Sequence, residues 1–177
     1  DNPIPRLVAM VSALTNATLD SGSAEFQPSN LEVTTIDVGN PAVNVIPAQA
    51  RAIFNIRFND QQTSKALSTW LREQCDGVDG KYDLDIHVSG ESFLSPPGPF
   101  HDLVAGAVEQ VLGVTPERST SGGISDARFV KEYCPVAEFG LITETAHKVD
   151  ERASLDDMEN LVAIYADILR GFFAANA

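Results

Sequence analysis

The sequence is poor in positive charge, in cysteine and in long apolar runs. It has 12 Lys and Arg against 25 Asp and Glu, a formal net charge of −13, which argues against nucleic acid and anionic membranes as partners. Its two cysteines, Cys75 and Cys134, form no C-x-x-C pair. Their spacing leaves a structural disulfide open, but reduced thiols in a cytoplasm are the simpler interpretation. No apolar run of about 18 residues occurs, so we expect no membrane span.

The chain also lacks an initiator Met and a basic region of the signal-peptide type, since Asp1-Asn2-Pro3 leads straight into a helical pattern. We therefore expect it to begin within a longer protein. Hydrophobic residues make up 44% and charged residues 21%, which is typical of a globular chain with a real core.

The first half predicts the order helix, strand, strand, helix, strand over residues 2–89. Asn2 and Pro3 are favourable at a helix start, and apolar spacing extends that helix to about Leu19. The predicted strands are 31–38, with a bulge where the alternation slips by one residue, then 51–58 and 82–89; Asn59-Asp60 is the predicted cap of the second helix. One more strand before Asp1 would complete a split β-α-β fold, with two helices on an antiparallel sheet.

The second half has a different pattern, and Ser95-Pro96-Pro97-Gly98-Pro99 is the predicted domain boundary. A helix over 104–112 should end at Gly113, and the apolar run 136–141 predicts a buried strand. Ser154 and Asp157 resemble a capping box that opens a long C-terminal helix.

The most suggestive stretch is Thr120–Phe129, in which Gly122-Gly123 precedes the helix-capping residue types Ser125 and Asp126. A Gly-Gly turn that leads into a helix presents free N–H groups, and these suit a carboxylate or an oxyanion. Arg128 offers a fork-shaped partner for a carboxylate. The alternative is an ordinary tight turn that caps an ordinary helix.

His147 follows the predicted buried strand, in a polar loop of the kind that carries catalytic or ligand residues. A neutral imidazole there is a candidate zinc ligand, and the alternative is a surface histidine. The sequence shows no convincing set of three or four metal ligands, and no spacing joins Ser125 and Asp126 to a catalytic triad. Arg57 is either a functional residue or a solvated strand arginine. His87 is interpreted as a surface histidine.

Several short motifs occur together in a specific order. They are Asn2-Pro3-Ile4, Asn44-Val45-Ile46-Pro47, Phe54-Asn55-Ile56-Arg57-Phe58, Ser121–Phe129, Glu138-Phe139-Gly140 and His147-Lys148-Val149-Asp150-Glu151. The ordered set resembles the C-terminal half of the di-zinc amidohydrolases in the aminoacylase/carboxypeptidase metallohydrolase family. The resemblance covers essentially the whole chain.

The resemblance implies two domains. Residues 1–92 would be most of a lid, or dimerisation, domain of α+β type that lacks its first strand, and residues 93–177 the C-terminal α/β part of a zinc-hydrolase catalytic domain. His147 matches the one zinc ligand expected from this part of the family. The other ligands of the two zinc ions, for which cobalt is a possible substitute, and the glutamate general base would lie before Asp1.

The resemblance also implies substrate contacts from Asn44, Arg57, Gly123, Ile124 and Arg128. The implied reaction removes succinate from N-succinyl-L,L-diaminopimelate in diaminopimelate and lysine biosynthesis, in a cytoplasmic homodimer formed through the lid. Ile124 stands where the family usually has Thr, so a hydroxyl contact to the substrate is lost, and Thr143 stands where some relatives have Asn. We expect the chain by itself to be inactive.

Two other interpretations stay open from the sequence. A deacetylase of acetylornithine, or an aminoacylase, would share the family and its metal chemistry. A non-catalytic dimerisation or binding module would use the split β-α-β fold as its interaction surface, and its His147 would bind no metal.

Overall fold

The computed structural model describes residues 1–121, 125–141 and 144–175. The chain divides into two compact units, Asp1–Phe93 and a second unit that begins at Leu94. None of the helices within the described residues is long and apolar enough to cross a membrane. Cys75 is buried and Cys134 is exposed, and both are free thiols.

The first unit opens with helix α1, Pro3–Thr15. The Ile4 N–H donates to Asn2 Oδ1 at 3.1 Å, so Asn2 caps the helix as expected. The predicted extension to Leu19 is wrong, because α1 ends at Thr15 with Asn16 as its C-cap. The residues that follow belong to a loop in which Leu19 and Asp20 accept hydrogen bonds from the side chains of Gln62 and Asn59.

The sheet of this unit has two antiparallel strands, β1 at Asn30–Asp37 and β2 at Arg51–Arg57. The pairing runs from Asn30 opposite Arg57 to Asp37 opposite Arg51, with an irregularity between Val33 and Thr35. The bulge predicted from the slipped alternation is therefore confirmed. The predicted faces of β2 are also confirmed, since Ala52, Phe54 and Ile56 are partly buried and the residues between them are exposed.

Helix α2 spans Ser64–Asp76 and packs against α1. Thr63 is its N-cap, because Thr63 Oγ1 accepts the Ala66 N–H at 3.1 Å, so the prediction of Asn59-Asp60 as the cap is wrong. The buried hydrophobic side chains of the unit come from these two helices, and they are Met10, Leu14, Leu67, Leu71 and Cys75. Burial raises the pKa of the Cys75 thiol, as expected for a thiol that serves as core.

The segment 82–89 was predicted to be a strand, but it pairs with no strand among the described residues. Its faces still alternate, since Tyr82, Leu84 and Ile86 are partly buried and Asp83, Asp85 and His87 are exposed. Tyr82 Oη donates to Asp76 Oδ1 at 2.6 Å and so ties the segment to the end of α2. Alternation is a local property, whereas a ladder needs a neighbour, and in a split β-α-β sheet the last strand pairs with the first.

The second unit contains helices α3 at Pro99–Leu112, α4 at Ala127–Val130 and α5 at Leu155–Ala175. Gly113 follows α3 with φ 70°, the left-handed conformation expected just past a helix end. Ser154 Oγ accepts the Asp157 N–H at 3.4 Å, which confirms the predicted cap of α5. The helices α3 and α5 pack together around a small core of Ala107, Val108, Ile164 and Ile168.

The run 136–141 was predicted to be a buried strand, and the structure corrects this as well. It forms no strand, and only Val136, Phe139 and Leu141 are partly buried. Phe139 packs against the α3–α5 core, and Tyr165 Oη donates to the Phe139 carbonyl at 2.7 Å. The run is apolar enough for a central strand, but the described residues provide no strand to pair with it.

Candidate functional site

His147 lies in a turn and its side chain is exposed. Its φ of 62° is in the left-handed region, which a residue other than glycine adopts only at a cost. The base of the loop is closed by Thr145, whose Oγ1 accepts the Arg152 N–H at 3.0 Å and donates to the Arg152 carbonyl at 2.9 Å. The imidazole is thus presented at the tip of a loop that hydrogen bonds hold in shape.

The start of α4 is organised by Ser125. Its Oγ accepts the Ala127 N–H at 2.9 Å and donates to the Glu138 carboxylate, whereas Asp126 makes no side-chain capping bond. Ser125 therefore caps the helix and also links it to the apolar segment 136–141. Since α4 has only four residues, its dipole adds little to anion binding.

Arg128 is partly buried on α4, and its guanidinium carbon lies 5.1 Å from the centre of the Phe129 ring. This contact holds the guanidinium by a cation–π interaction. Gly122, Gly123 and Ile124 lie outside the described residues, as does Thr143. The carboxylate seat predicted for the Gly-Gly turn therefore stays a prediction.

The two candidate residues of the first unit are both exposed. Asn44 lies in the connection between β1 and β2, which joins β2 at Arg51, and Arg57 is the last residue of β2. Arg57 lies six residue steps along β2 from Arg51, which is about 20 Å at ~3.3 Å per residue. In the part of the chain that the structure describes, no hydrogen bond or ion pair joins Asn44 to Arg57.

The described residues contain no group of three or more His, Cys, Asp and Glu side chains that could hold a metal ion. His147 is accordingly a single candidate ligand rather than a metal site. An open groove of ≈ 630 Å³ lies elsewhere in the second unit, lined by residues 94–101 and 131–135. Neither His147 nor Arg128 lines it, so the groove is no part of the candidate site.

A buried polar network in the first unit was missed by the sequence reasoning. Asp20 Oδ1 accepts hydrogen bonds from Gly22 N at 2.9 Å, Ser29 N at 3.0 Å and Asn59 Nδ2 at 2.7 Å. Burial acts to raise the pKa of Asp20, but the hydrogen bonds from Ser29, Gly22 and Asn59 outweigh it and lower the pKa from 3.8 to about 2. The sequence signal for this network was the presence of Asp and Asn in loops, but the sequence does not indicate that these residues contact one another.

Comparison with known proteins covers the first unit directly, since residues 1–83 match the family described as peptidase dimerisation domain. The matched segment contains α1, the two-stranded sheet, α2, and the candidate residues Asn44 and Arg57. Its small α+β architecture agrees with the predicted class of the first half, whereas Arg128 and His147 lie beyond it.

The chain is also similar over essentially its whole length to proteins named succinyl-diaminopimelate desuccinylase. It is 53% identical to that of Rhodospirillum rubrum over 99% of this chain, and 54% identical to that of Xanthobacter autotrophicus over 100%. It is 52% identical to that of Phenylobacterium zucineum over 98%. The chain spans about half the length of these relatives, 46%, 48% and 47% respectively. The resemblance drawn from the ordered motifs is confirmed, and the match is to the relatives' C-terminal half.

Proposed function

We propose that this chain is the C-terminal part of a metal-dependent amidohydrolase that removes succinate from N-succinyl-L,L-diaminopimelate. The observation that carries the proposal is the similarity of 52–54% over 98–100% of the chain to desuccinylases of that name. Similarity of this extent leaves no large part of the chain for a different module. The two free cysteines support a reducing, cytoplasmic location for the protein.

Each unit has a role in this proposal. Residues 1–92 serve as the lid and dimerisation domain, completed by a strand that precedes Asp1. Residues 93–177 serve as the C-terminal part of the catalytic domain. The segment 82–87 supports the first assignment, because its faces alternate like those of a strand and it pairs with no strand among the described residues.

Substrate recognition is assigned to five residues. Asn44, Arg57, Gly123, Ile124 and Arg128 are the proposed substrate contacts, and the two arginines would pair with carboxylates of the substrate. A protein with a formal net charge of −13 repels an anionic substrate unless cations are placed at the site. The planar guanidinium suits this purpose because it binds a carboxylate through two parallel hydrogen bonds.

This chain supplies only one of the ligands that we propose for the metal ions. We propose zinc as the metal, two ions per site with cobalt as a possible substitute, and His147 as one imidazole ligand. The described residues do not fit a complete metal site, so the remaining ligands and the general base belong to the preceding half. We therefore expect the 177-residue chain by itself to show no amide hydrolysis, even when zinc is supplied.

The test uses the full-length protein with N-succinyl-L,L-diaminopimelate and N-acetylornithine as competing substrates. We expect faster hydrolysis of the succinyl amide, and His147→Ala should reduce both activity and bound zinc. His87→Ala is the matched control, since His87 is equally exposed and lies outside the proposed site. Faster hydrolysis of N-acetylornithine would show that the acyl group removed is acetyl. Full zinc content in His147→Ala would show that His147 is not a zinc ligand.

We also propose a homodimer formed through the first unit, because its matching family is described as a dimerisation domain. Light scattering on the full-length protein should give twice the mass of one chain. A monomer at all accessible concentrations would contradict this part of the proposal without affecting the catalytic part.

A further inference from the structure

The connection between β1 and β2 carries Asn44, and apolar packing does little to hold it in shape. It covers residues 38–50, all of them described by the structure, and it forms no helix or strand and contains no fully buried residue. Its tip is apolar but unpacked, since Val43 is fully exposed and Val45 and Ile46 are 59% and 56% exposed. The conformation of this connection must therefore be fixed by something other than a local core.

The side-chain amide of Asn40 bonds to the backbone on both sides of Asn44. Asn40 Oδ1 accepts the Ala42 N–H at 3.2 Å, and Asn40 Nδ2 donates to the Val45 carbonyl at 2.7 Å. Within the part of the chain that the structure describes, residues 39–49 make no other hydrogen bond. We call these two bonds the Asn40 clamp, because one planar amide closes the chain around Asn44.

The neighbours of Asn40 favour this geometry. Gly39 has φ 60°, in the left-handed region that glycine adopts without strain, and it lies just past the end of β1. Pro41 restricts φ at the next position and has no N–H that would need a partner. An Asn side chain suits the place between them, because its carbonyl oxygen bonds the backbone two residues on while its NH₂ group stays available as a donor. Gly39-Asn40-Pro41 thus sets how the chain enters the loop, and the bond to Val45 sets how it leaves.

We infer that Asn40 is a positioning residue for substrate binding, because its amide fixes the backbone before and after Asn44 and so holds Asn44 where it contacts the substrate. The inference rests on the proposed function, in which Asn44 is a substrate contact. A loop that is already ordered loses less conformational entropy when a ligand binds than a loop that must be ordered at that moment. Loss of the Asn40 clamp should therefore weaken substrate binding more than it slows the chemical step.

The kinetic test uses the full-length protein and N-succinyl-L,L-diaminopimelate. Asn40→Ala removes both bonds, and we expect KM to rise roughly five- to tenfold with a smaller change in kcat, as for the loss of one or two ordinary hydrogen bonds. Asn40→Asp keeps the acceptor for the Ala42 N–H but loses the donor, so its KM should lie between those of the wild type and Asn40→Ala. Gln49→Ala is the matched control and should leave KM unchanged, because Gln49 is an exposed amide side chain of the same connection outside the clamp.

A double-mutant cycle separates the positioning of Asn44 from any other effect of Asn40. Asn44→Ala should by itself raise KM, and adding Asn40→Ala should raise it further by less than about twofold, because the residue that the clamp positions is gone. A full further increase in the Asn44→Ala background would overturn the inference. So would a KM for Asn40→Ala equal to that of Gln49→Ala, or an unchanged KM in Asn44→Ala.

Spin labelling gives a readout that needs no activity. A nitroxide is attached at Val43→Cys in the full-length protein, with Cys134→Ser removing the exposed thiol of this part of the chain. Adding Asn40→Ala should sharpen the electron paramagnetic resonance lines, because the tip of the loop then moves more freely, whereas Gln49→Ala should leave the lines unchanged. A wild type that cleaves no succinyl amide would contradict the proposed function, whereas unchanged lines in Asn40→Ala would contradict the clamp, so the two failures are distinguishable.

Discussion

Asn59 Nδ2 donates a hydrogen bond to Asp20 Oδ1 at 2.7 Å, across 39 residues of sequence. Asn59 is 2% exposed and also donates to the Gln27 carbonyl, while its own N–H donates to Ser29 Oγ. The contact joins the loop after α1 to the loop after β2. The two loops are thereby joined by hydrogen bonds that involve the buried residues Asn59 and Ser29.

The first prediction concerns Asp20 and pH. The folded-state pKa of about 2 is below the ordinary value of 3.8, so the carboxylate contributes stability that is present above about pH 4 and is lost as the pH falls towards 2. We expect a contribution of about 1–2 kcal/mol, reduced for partial exposure. Urea unfolding of the wild type and Asp20→Asn at pH 7 and pH 3 measures it. The difference between the two proteins should shrink at the lower pH, and a constant difference would contradict the assignment.

The second prediction concerns the other partner. Asn59→Ala removes the amide that donates to both Asp20 Oδ1 and the Gln27 carbonyl, so we expect a loss of about 2–3 kcal/mol in the free energy of unfolding. Asn55→Ala is the control, because Asn55 lies on the exposed face of β2 and should change stability by less than about 0.5 kcal/mol. Equal losses of stability in Asn59→Ala and Asn55→Ala would show that the polar network does not stabilise the fold.

The third prediction concerns Glu138, which accepts the Ser125 hydroxyl bond at the start of α4. In the full-length enzyme Glu138→Ala should raise KM about fivefold with a smaller change in kcat, because a lost hydrogen bond of about 1 kcal/mol loosens the segment that carries Arg128. Glu138→Gln keeps an acceptor and should largely restore KM. Glu132→Ala is the control, since that carboxylate pairs only with Lys131 in the described structure. A KM that Glu138→Ala leaves unchanged would exclude a positioning role.

The fourth prediction concerns backbone strain at His147. With φ at 62°, His147→Gly should relieve the left-handed conformation and stabilise the 177-residue chain by about 0.5–1 kcal/mol, although it removes the proposed zinc ligand from the full-length enzyme. His87→Gly is the control, because His87 has no positive φ and glycine there should only destabilise. Thermal unfolding of the three proteins checks the sign, and a lower melting temperature for His147→Gly would refute the strain argument.

The candidate site residues were proposed from motifs that are local and ordered. His147 was expected in a loop and Arg57 near a strand end, and the structure has His147 in a turn and Arg57 as the last residue of β2. The bond between Ser125 and Glu138 was not accessible, since nothing in either residue's neighbourhood indicates the other. Their partnership depends on how the 136–141 segment folds back onto the start of α4.

The sequence by itself determined the helices, the bulge in β1 and the two faces of β2, because these follow from the spacing of apolar residues and from capping groups within a few positions. It also indicated the resemblance to the desuccinylases, through motifs whose order is as informative as their content. Only the tertiary structure decided that α1 ends at Thr15, that Asn59 binds Asp20 instead of capping α2, and that the segments 82–89 and 136–141 form no ladder within the described part of the chain. Each of these outcomes depends on a partner far away in the sequence, and a local pattern holds no information about whether that partner is present.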